Sequence, residues 1–272
     1  MSPVDYTLRF SEEEIGRLRR QGSRFAAATE RVFHAVRIEP GMRVLDIGCG
    51  AGDVAILAGN LVGPRGSVVA VDRDPRMLAI TQERSAESPA RLETLQAEVL
   101  SIPRGREFDA VVGRFVMMYQ PDTLAAVTRL ALHLRPGGRL AFVEPDYSIP
   151  PMSRPPLPLW DRMSRLIAEG FVRTGTPVNL AFDLHRALAA AGCTRPEAAV
   201  VDAFIHYTGN PYATNQMAVL RSLLPAIERL GLATAAELDL DTLVERLDAE
   251  AAAVHGCGRG ALVFGVWGSL PE

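Results

Sequence analysis

The chain has 272 residues, 48% of them hydrophobic, which suits one elaborated domain or a domain with a large insertion. Its 29 basic and 32 acidic residues leave a net charge of −3, giving no support to a nucleic-acid or membrane-surface partner. Three scattered cysteines without a CxxC pair (Cys49, Cys193, Cys257), a polar stretch from Met1 to Glu14 and no apolar run near ~20 residues argue against a disulfide scaffold, a signal peptide or a membrane span, and fit a cytoplasmic protein.

Ser11 with Glu14 three residues on reads as a capping box, and Ile15, Leu18, Phe25, Val32, Phe33 and Val36 continue a helix or helix pair over 11–36. After the Pro40-Gly41 turn, strands and helices alternate. A strand at 43–48 precedes a helix at 53–62. A second strand, Ser67 to Asp72, leads to Pro75 at the first turn of the next helix. A third strand covers 92–98, and Pro103 to Gly105 breaks the chain. Strand four runs from Phe108 to Gly113 and a helix follows over 121–134. Pro136-Gly137-Gly138 turns into strand five, 139–144. This alternation predicts an α/β protein with a mostly parallel sheet and helices on both faces.

Six prolines at 145, 150, 151, 155, 156 and 158 then make a connector that cannot be helix. Helices are expected at 159–173, at 182–191 and over 211–230, the last interrupted near Pro225. Between them 198–207 is β-rich. Thr234-Ala235-Ala236-Glu237 is a second capping box, and Leu240, Leu243, Val244 and Leu247 form a helical stripe before a last strand, Ala261 to Trp267. The expected organisation is an N-terminal helical cap (1–39), a ligand-binding core (40–147) and a helical lid or acceptor region (148–181 and 208–257). The remaining helix and strands of the core are 182–207 and 258–272.

The chemistry concentrates at Val44-Leu45-Asp46-Ile47-Gly48-Cys49-Gly50-Ala51-Gly52-Asp53, a buried strand entering a glycine-rich turn. An acid, Asp72, follows at the end of the second strand, where a carboxylate accepts from two ribose hydroxyls. The glycine spacing is not that of a dinucleotide fingerprint, and no Gly-Lys-Ser/Thr marks a P-loop. Asp46 and Asp53 beside a helix start disfavour phosphate. They suit a ligand with a cationic centre and an ammonium group, and S-adenosyl-L-methionine has both, plus a ribose. The competing readings are glycines that serve tight packing, an Asp72 that caps the next helix, and an exposed Glu98.

Together with the alternation, this turn and distal acid resemble the class I S-adenosylmethionine-dependent methyltransferases, small-molecule type. The resemblance covers about 40–147 and includes Val71-Asp72-Arg73-Asp74-Pro75-Arg76-Met77-Leu78. It continues through Gln96-Ala97-Glu98-Val99-Leu100-Ser101-Ile102-Pro103, Phe108-Asp109-Ala110-Val111-Val112-Gly113-Arg114 and Leu134-Arg135-Pro136-Gly137-Gly138. It implies a Rossmann-like seven-stranded sheet and a helical lid after strand five. It also implies roles: Gly48 and Gly50 under the methionine part, Asp46 supporting the loop or amino group, and Asp72 on the ribose. Arg73 and Met77 would flank the adenine, Glu98 would accept from its amino group, and Val99 would offer a backbone donor. Gly113 and Arg114 would line the methionine moiety through their backbone.

Methyl transfer needs positioning of the nucleophile and, where required, a base. The Asn/Asp-Pro-Pro-Tyr/Phe motif of base-methylating members is absent after strand four, and Asn210-Pro211-Tyr212 reads as a turn. Tyr119, Asp146 and His206 are the catalytic candidates, with Glu144 also at the carboxyl end of strand five. Asp109 sits at the wrong end of strand four for a metal, and none is expected. Trp160, Met163, Ile167 and Phe171 read as a core stripe, or else as a lid over an apolar acceptor, with Tyr6 and the 11–36 helix closing over the cofactor from the other side. The leading expectation is methyl transfer to O, N or C of a small, partly apolar metabolite, with a homodimer allowed and no nucleic-acid or membrane partner. The alternatives are a protein of this fold that holds S-adenosylmethionine for other chemistry, and an RNA or protein methyltransferase.

Overall fold

The computed structural model describes residues 12–104, 107–210 and 212–272. The Ser11 capping box, Tyr6, Gly105 and Pro211 therefore lie outside the described residues. The chain divides into two compact units. The larger holds the described residues up to Glu144 together with Leu180–Val201 and Phe264–Glu272. The smaller holds Pro145–Asn179 and Asp202–Val263.

In the larger unit, helix α1 is Glu12–Ala35, followed by β1 (Arg43–Ile47), α2 (Asp53–Val62), β2 (Ser67–Asp72), α3 (Pro75–Glu83) and β3 (Arg91–Gln96). Next come β4 (Phe108–Arg114), α4 (Thr123–Ala131) and β5 (Leu134–Asp146), whose last two residues enter the smaller unit. Strands β1 to β4 are apolar because both their faces are covered. Val44, Leu45, Ile47, Val68, Ala70, Ala110, Val111 and Val112 are almost wholly excluded from solvent. All pairings among β1 to β4 and between β4 and β5 are parallel, with Asp46 opposite Ala70 on one side and Val112 on the other.

The strand order is β3-β2-β1-β4-β5-β8, where β8 is the last strand, Cys257–Ser269. The chain reverses direction of travel across the sheet between β1 and β4, and ligands of open α/β sheets bind outside the carboxyl ends of the strands at such a point. Pro75 sits at the start of α3, and the side chain of Asp74, not that of Asp72, accepts from the Arg76 amide as the N-cap. Strand five is longer than the 139–144 expected, because Leu134 already pairs with Phe108 before a register shift at the Pro136-Gly137-Gly138 segment. Helix α6 (Leu180–Ala190) packs against α4 within the same unit.

The smaller unit contains β6 (Met152–Arg154), α5 (Pro158–Arg173), the end of β7 (Thr194–His206), α7 (Tyr212–Arg229), α8 (Ala235–Leu238), α9 (Leu243–Val254) and the start of β8. Strand β6 was not expected inside the proline-rich connector. It is three residues long and antiparallel to β8, with Met152 opposite Arg259, and it brings the described strands to eight. Helix α7 does not break at Pro225. Proline in a helix interior costs about 3 kcal/mol, and the buried Leu220, Leu223 and Ile227 on the same helix hold it together through that residue. Thr234 and Glu237 make both reciprocal bonds of the capping box at α8. Trp160, Met163, Ile167 and Phe171 are buried along one face of α5. Among the described residues no helix is long and apolar enough to cross a membrane.

Candidate functional site

Strand β1 ends by delivering Asp46 into the interior. The residue is fully buried, and neither carboxylate oxygen has a hydrogen-bond partner. Burial raises its pKa well above the carboxylate range, and the nearby Asp72 and Asp53 push the same way. The Arg114 guanidinium opposes them, helped by the Ala55 amide, which lies close without reaching hydrogen-bond geometry. An unsatisfied buried carboxylate is costly, and it is the feature a cationic ligand would relieve.

The loop after β1 takes three left-handed turns at Gly48, Gly50 and Gly52, with φ of 62°, 51° and 87°. The glycines do different things. A Cβ on Gly48 would lie 2.4 Å from the Val116 side chain, so Gly48 is needed for packing. A Cβ on Gly50 would meet nothing within 4 Å, so this residue borders open space and leaves the backbone accessible. The loop is held from below: Thr81 Oγ1 donates to the Gly50 carbonyl at 2.9 Å, and Arg84 Nη1 donates to the Ala51 carbonyl at 2.6 Å. Arg84 also pairs with Asp53 at 3.0 Å.

Asp72 ends β2 and joins the loop to the next helix. One carboxylate oxygen accepts from the Gly50 amide and the other from the Asp74 amide, each at 2.9 Å. Each oxygen keeps a lone pair for one further donor, which is what two vicinal hydroxyls require. Burial raises its pKa while these two amides lower it. Met77 is buried on α3. Exposed Glu98 and Arg73 form a 3.9 Å ion pair, and buried Val99 opens a short 3-10 turn, Val99–Ser101. A Cβ on Gly113 would overlap both Val116 and Ile47, so its smallness serves the closure of the chain after β4.

Arg114 was expected to contribute through its backbone. Its side chain, for which the sequence set no expectation, crosses to α1, donating from Nη1 to Thr29 Oγ1 at 3.1 Å and lying 3.5 Å from the Gly22 carbonyl. Burial lowers its pKa, and Asp53 and Asp46 counteract this. Gly22 lets α1 approach closely, since a Cβ there would lie 2.3 Å from the Asp53 carboxyl. Sequence reading missed Gly22 and Thr29. The one local signal was a glycine inside a helix, which costs about 1 kcal/mol against alanine and asks for a packing reason.

Glu144, at the end of β5 in the larger unit, accepts from the Val116 and Met117 amides at 2.9 Å each through one oxygen. Its other oxygen is unpartnered, and burial raises its pKa to about 7 against the pull of those amides. It thereby anchors the segment leading into the 3-10 turn Met117–Tyr119, which carries half-buried Tyr119. Asp109 lies at the amino end of β4, where it accepts from the Arg43 amide and pairs with Arg135.

The other two catalytic candidates belong to the smaller unit. Asp146 is buried and accepts from the Ser148 amide and hydroxyl. His206 is wholly buried, stacked 4.8 Å from Trp160, with Nε2 at 3.1 Å from the Leu247 carbonyl. That is the environment of a packed core histidine, because a base must reach the proton it removes.

Residues 44–138 match the family model of a methyltransferase domain. The chain is 35% identical over 127 residues to aklanonic acid methyltransferase DauC of Streptomyces sp. (strain C5), covering 43% of this chain and 57% of that protein. It is 30% identical over 138 residues to demethylmenaquinone methyltransferase of Staphylococcus aureus, covering 50% of this chain and 54% of the relative. The chain thus spans little more than half the length of these curated relatives. Among solved structures, the [4+2]-cyclase SpnF superposes with a TM-score of 0.53 at 17% identity, over 90% of this chain and 81% of that one, a likeness of fold.

Proposed function

We propose that the chain, whose residues 44–138 match a methyltransferase domain, is a class I enzyme that moves a methyl group from S-adenosylmethionine to O, N or C of a small, partly apolar metabolite by in-line displacement. The observation that carries this reading is Asp46, a buried carboxylate without a hydrogen-bond partner at the base of the glycine loop. The donor's ammonium group and sulfonium are the charges such a group accommodates. When bound, the cofactor supplies an electrophilic methyl group on a good leaving group.

This chain's residues do the rest. Gly48 and Gly50 shape the loop, and Gly50 leaves its surface open to the methionine part. Asp72 accepts from the ribose hydroxyls with its two remaining lone pairs. Met77, Arg73 and Val99 enclose the adenine, with Glu98 accepting from its amino group. Gly113 lets the chain after β4 close over β1, and Arg114 ties α1 to the loop region. Of the three catalytic candidates, geometry favours Tyr119, on the turn just past the carboxyl end of β4, as the group that positions the acceptor. His206 serves packing and Asp146 orders the start of the connector.

The two relatives are named for aklanonic acid and demethylmenaquinone, which supports a small-molecule acceptor over RNA or protein. Near-neutral charge supports it as well. The fold is shared with a cyclase, so fold by itself does not decide between methyl transfer and other chemistry. Calorimetry with S-adenosylhomocysteine tests the donor site, and a metabolite panel with isotope-labelled methyl donor tests transfer. Binding of NADH with no binding of either S-adenosyl compound would refute the reading.

A further inference from the structure

The larger unit holds a guanidinium and a carboxylate in one region without letting them bond. Asp46, near the end of β1, is fully buried, and neither of its oxygens has a hydrogen-bond partner. Arg114 ends the neighbouring strand β4, close enough for Asp53 and Asp46 to act on its charge. Yet the hydrogen bonds of Arg114 go to α1, and Asp53 pairs with Arg84 instead. Buried opposite charges ordinarily close on each other. Two that are held apart suit a ligand bearing both signs.

The guanidinium is fixed in place from α1. Thr29 is wholly buried there, and its hydroxyl donates to the Phe25 carbonyl at 2.7 Å, leaving its lone pairs to accept. Arg114 Nη1 donates to that hydroxyl at 3.1 Å. The next residue, Phe115, takes a left-handed φ of 55°, rare for a bulky side chain, and its ring meets Phe25 edge-on at 4.9 Å. Two successive side chains therefore tie the end of β4 to α1. Among the described residues, both hydrogen bonds of Arg114 leave from Nη1. That leaves the Nε–Nη2 edge of a half-buried guanidinium, the edge that takes a carboxylate through two parallel bonds.

We propose that this edge binds the carboxylate at the methionine end of the donor while Asp46 faces its ammonium group, with Thr29 positioning the guanidinium. This rests on the S-adenosylmethionine reading given above. An α-amino acid end carries both charges on one carbon, and the backbone at Gly50, on the loop between the two strand ends, borders open space.

The probes are S-adenosylhomocysteine and its decarboxylated analogue, which keeps the adenosine, thioether and amine, each titrated into the full chain by calorimetry. Wild type should bind S-adenosylhomocysteine at least about tenfold more tightly, the worth of a charge-assisted pair of bonds. Arg114→Met should cut that ratio at least about fivefold, by weakening the carboxylate-bearing ligand and not the other. Thr29→Val should cut it about threefold, by loosening the guanidinium. An Arg114 that only packs would weaken both ligands alike. An unmoved ratio in Arg114→Met, or equal affinities in wild type, overturns the proposal and leaves the donor reading standing. Should Arg114→Met not fold, Thr29→Val decides by the same criterion. A ratio moved by Arg114→Met but not by Thr29→Val strikes the positioning role of Thr29. Wild type that binds neither compound overturns the donor reading and the proposal with it.

Discussion

Glu144→Gln turns the buried carboxylate into a measurement. Burial raises the Glu144 pKa from 4.5 to about 7 in the folded chain, so between these values the folded state holds a proton that the unfolded state releases. At about 1.4 kcal/mol per pH unit, the fully ionised folded form is disfavoured by about 3 kcal/mol. The sign follows from the direction of the change: this contribution to stability is fully present below pH 4.5 and is lost as pH rises through about 7. Glutamine does not titrate, and its carbonyl can still accept from the Val116 and Met117 amides. Urea unfolding of both proteins from pH 4.5 to 8.5 should give equal stabilities at the acid end. Above pH 7.5 the variant should be more stable by up to about 3 kcal/mol, with the m-value unchanged. A difference that is flat across this range, or a variant less stable than wild type at pH 8, would refute the claim that burial outweighs the two amide donors.

Other outcomes follow from the same geometry. Asp72→Ala removes the proposed ribose acceptor and the tie to the Gly50 amide together, and should weaken S-adenosylhomocysteine binding by about 100-fold or more in calorimetry, since charge-assisted hydrogen bonds are worth about 1.5–3 kcal/mol each. Gly48→Ala should lower the melting temperature well beyond Gly50→Ala, because only the former overlaps Val116, while Gly50→Ala should chiefly damage cofactor affinity. Affinity for S-adenosylmethionine should rise with pH until Asp46 ionises in the free protein, and Asp46→Asn should flatten that dependence. Thr234→Ala should cost about 1 kcal/mol in unfolding experiments and leave cofactor binding untouched.

Much of the larger unit was legible locally. Helix α2 and strand β2 match their expected spans, because Gly52 before the helix, Gly63 after it and unbroken apolar runs in the strands are short-range signals. The smaller unit carries fewer such short-range signals. Three-residue β6 has no periodicity of its own and exists through its pairing with β8. Helix α7 overrides Pro225 because apolar side chains on either side of it are buried. The burial of His206 against Trp160 has no local signature, because its two neighbours come from segments far apart in the chain.

The alternation that makes a parallel sheet, the glycine-rich turn after the first strand and the acid at the end of the second can all be read from the residues in order. These depend on neighbours a few residues apart, which is also why residues 44–138 could be matched to a family. Only the tertiary structure decided that Asp46 is left without a partner, that Arg114 reaches α1 and that Glu144 is pushed toward neutrality. Burial and charge environment are properties of segments far apart in the chain that meet on packing, so they have no signature in any one stretch of sequence.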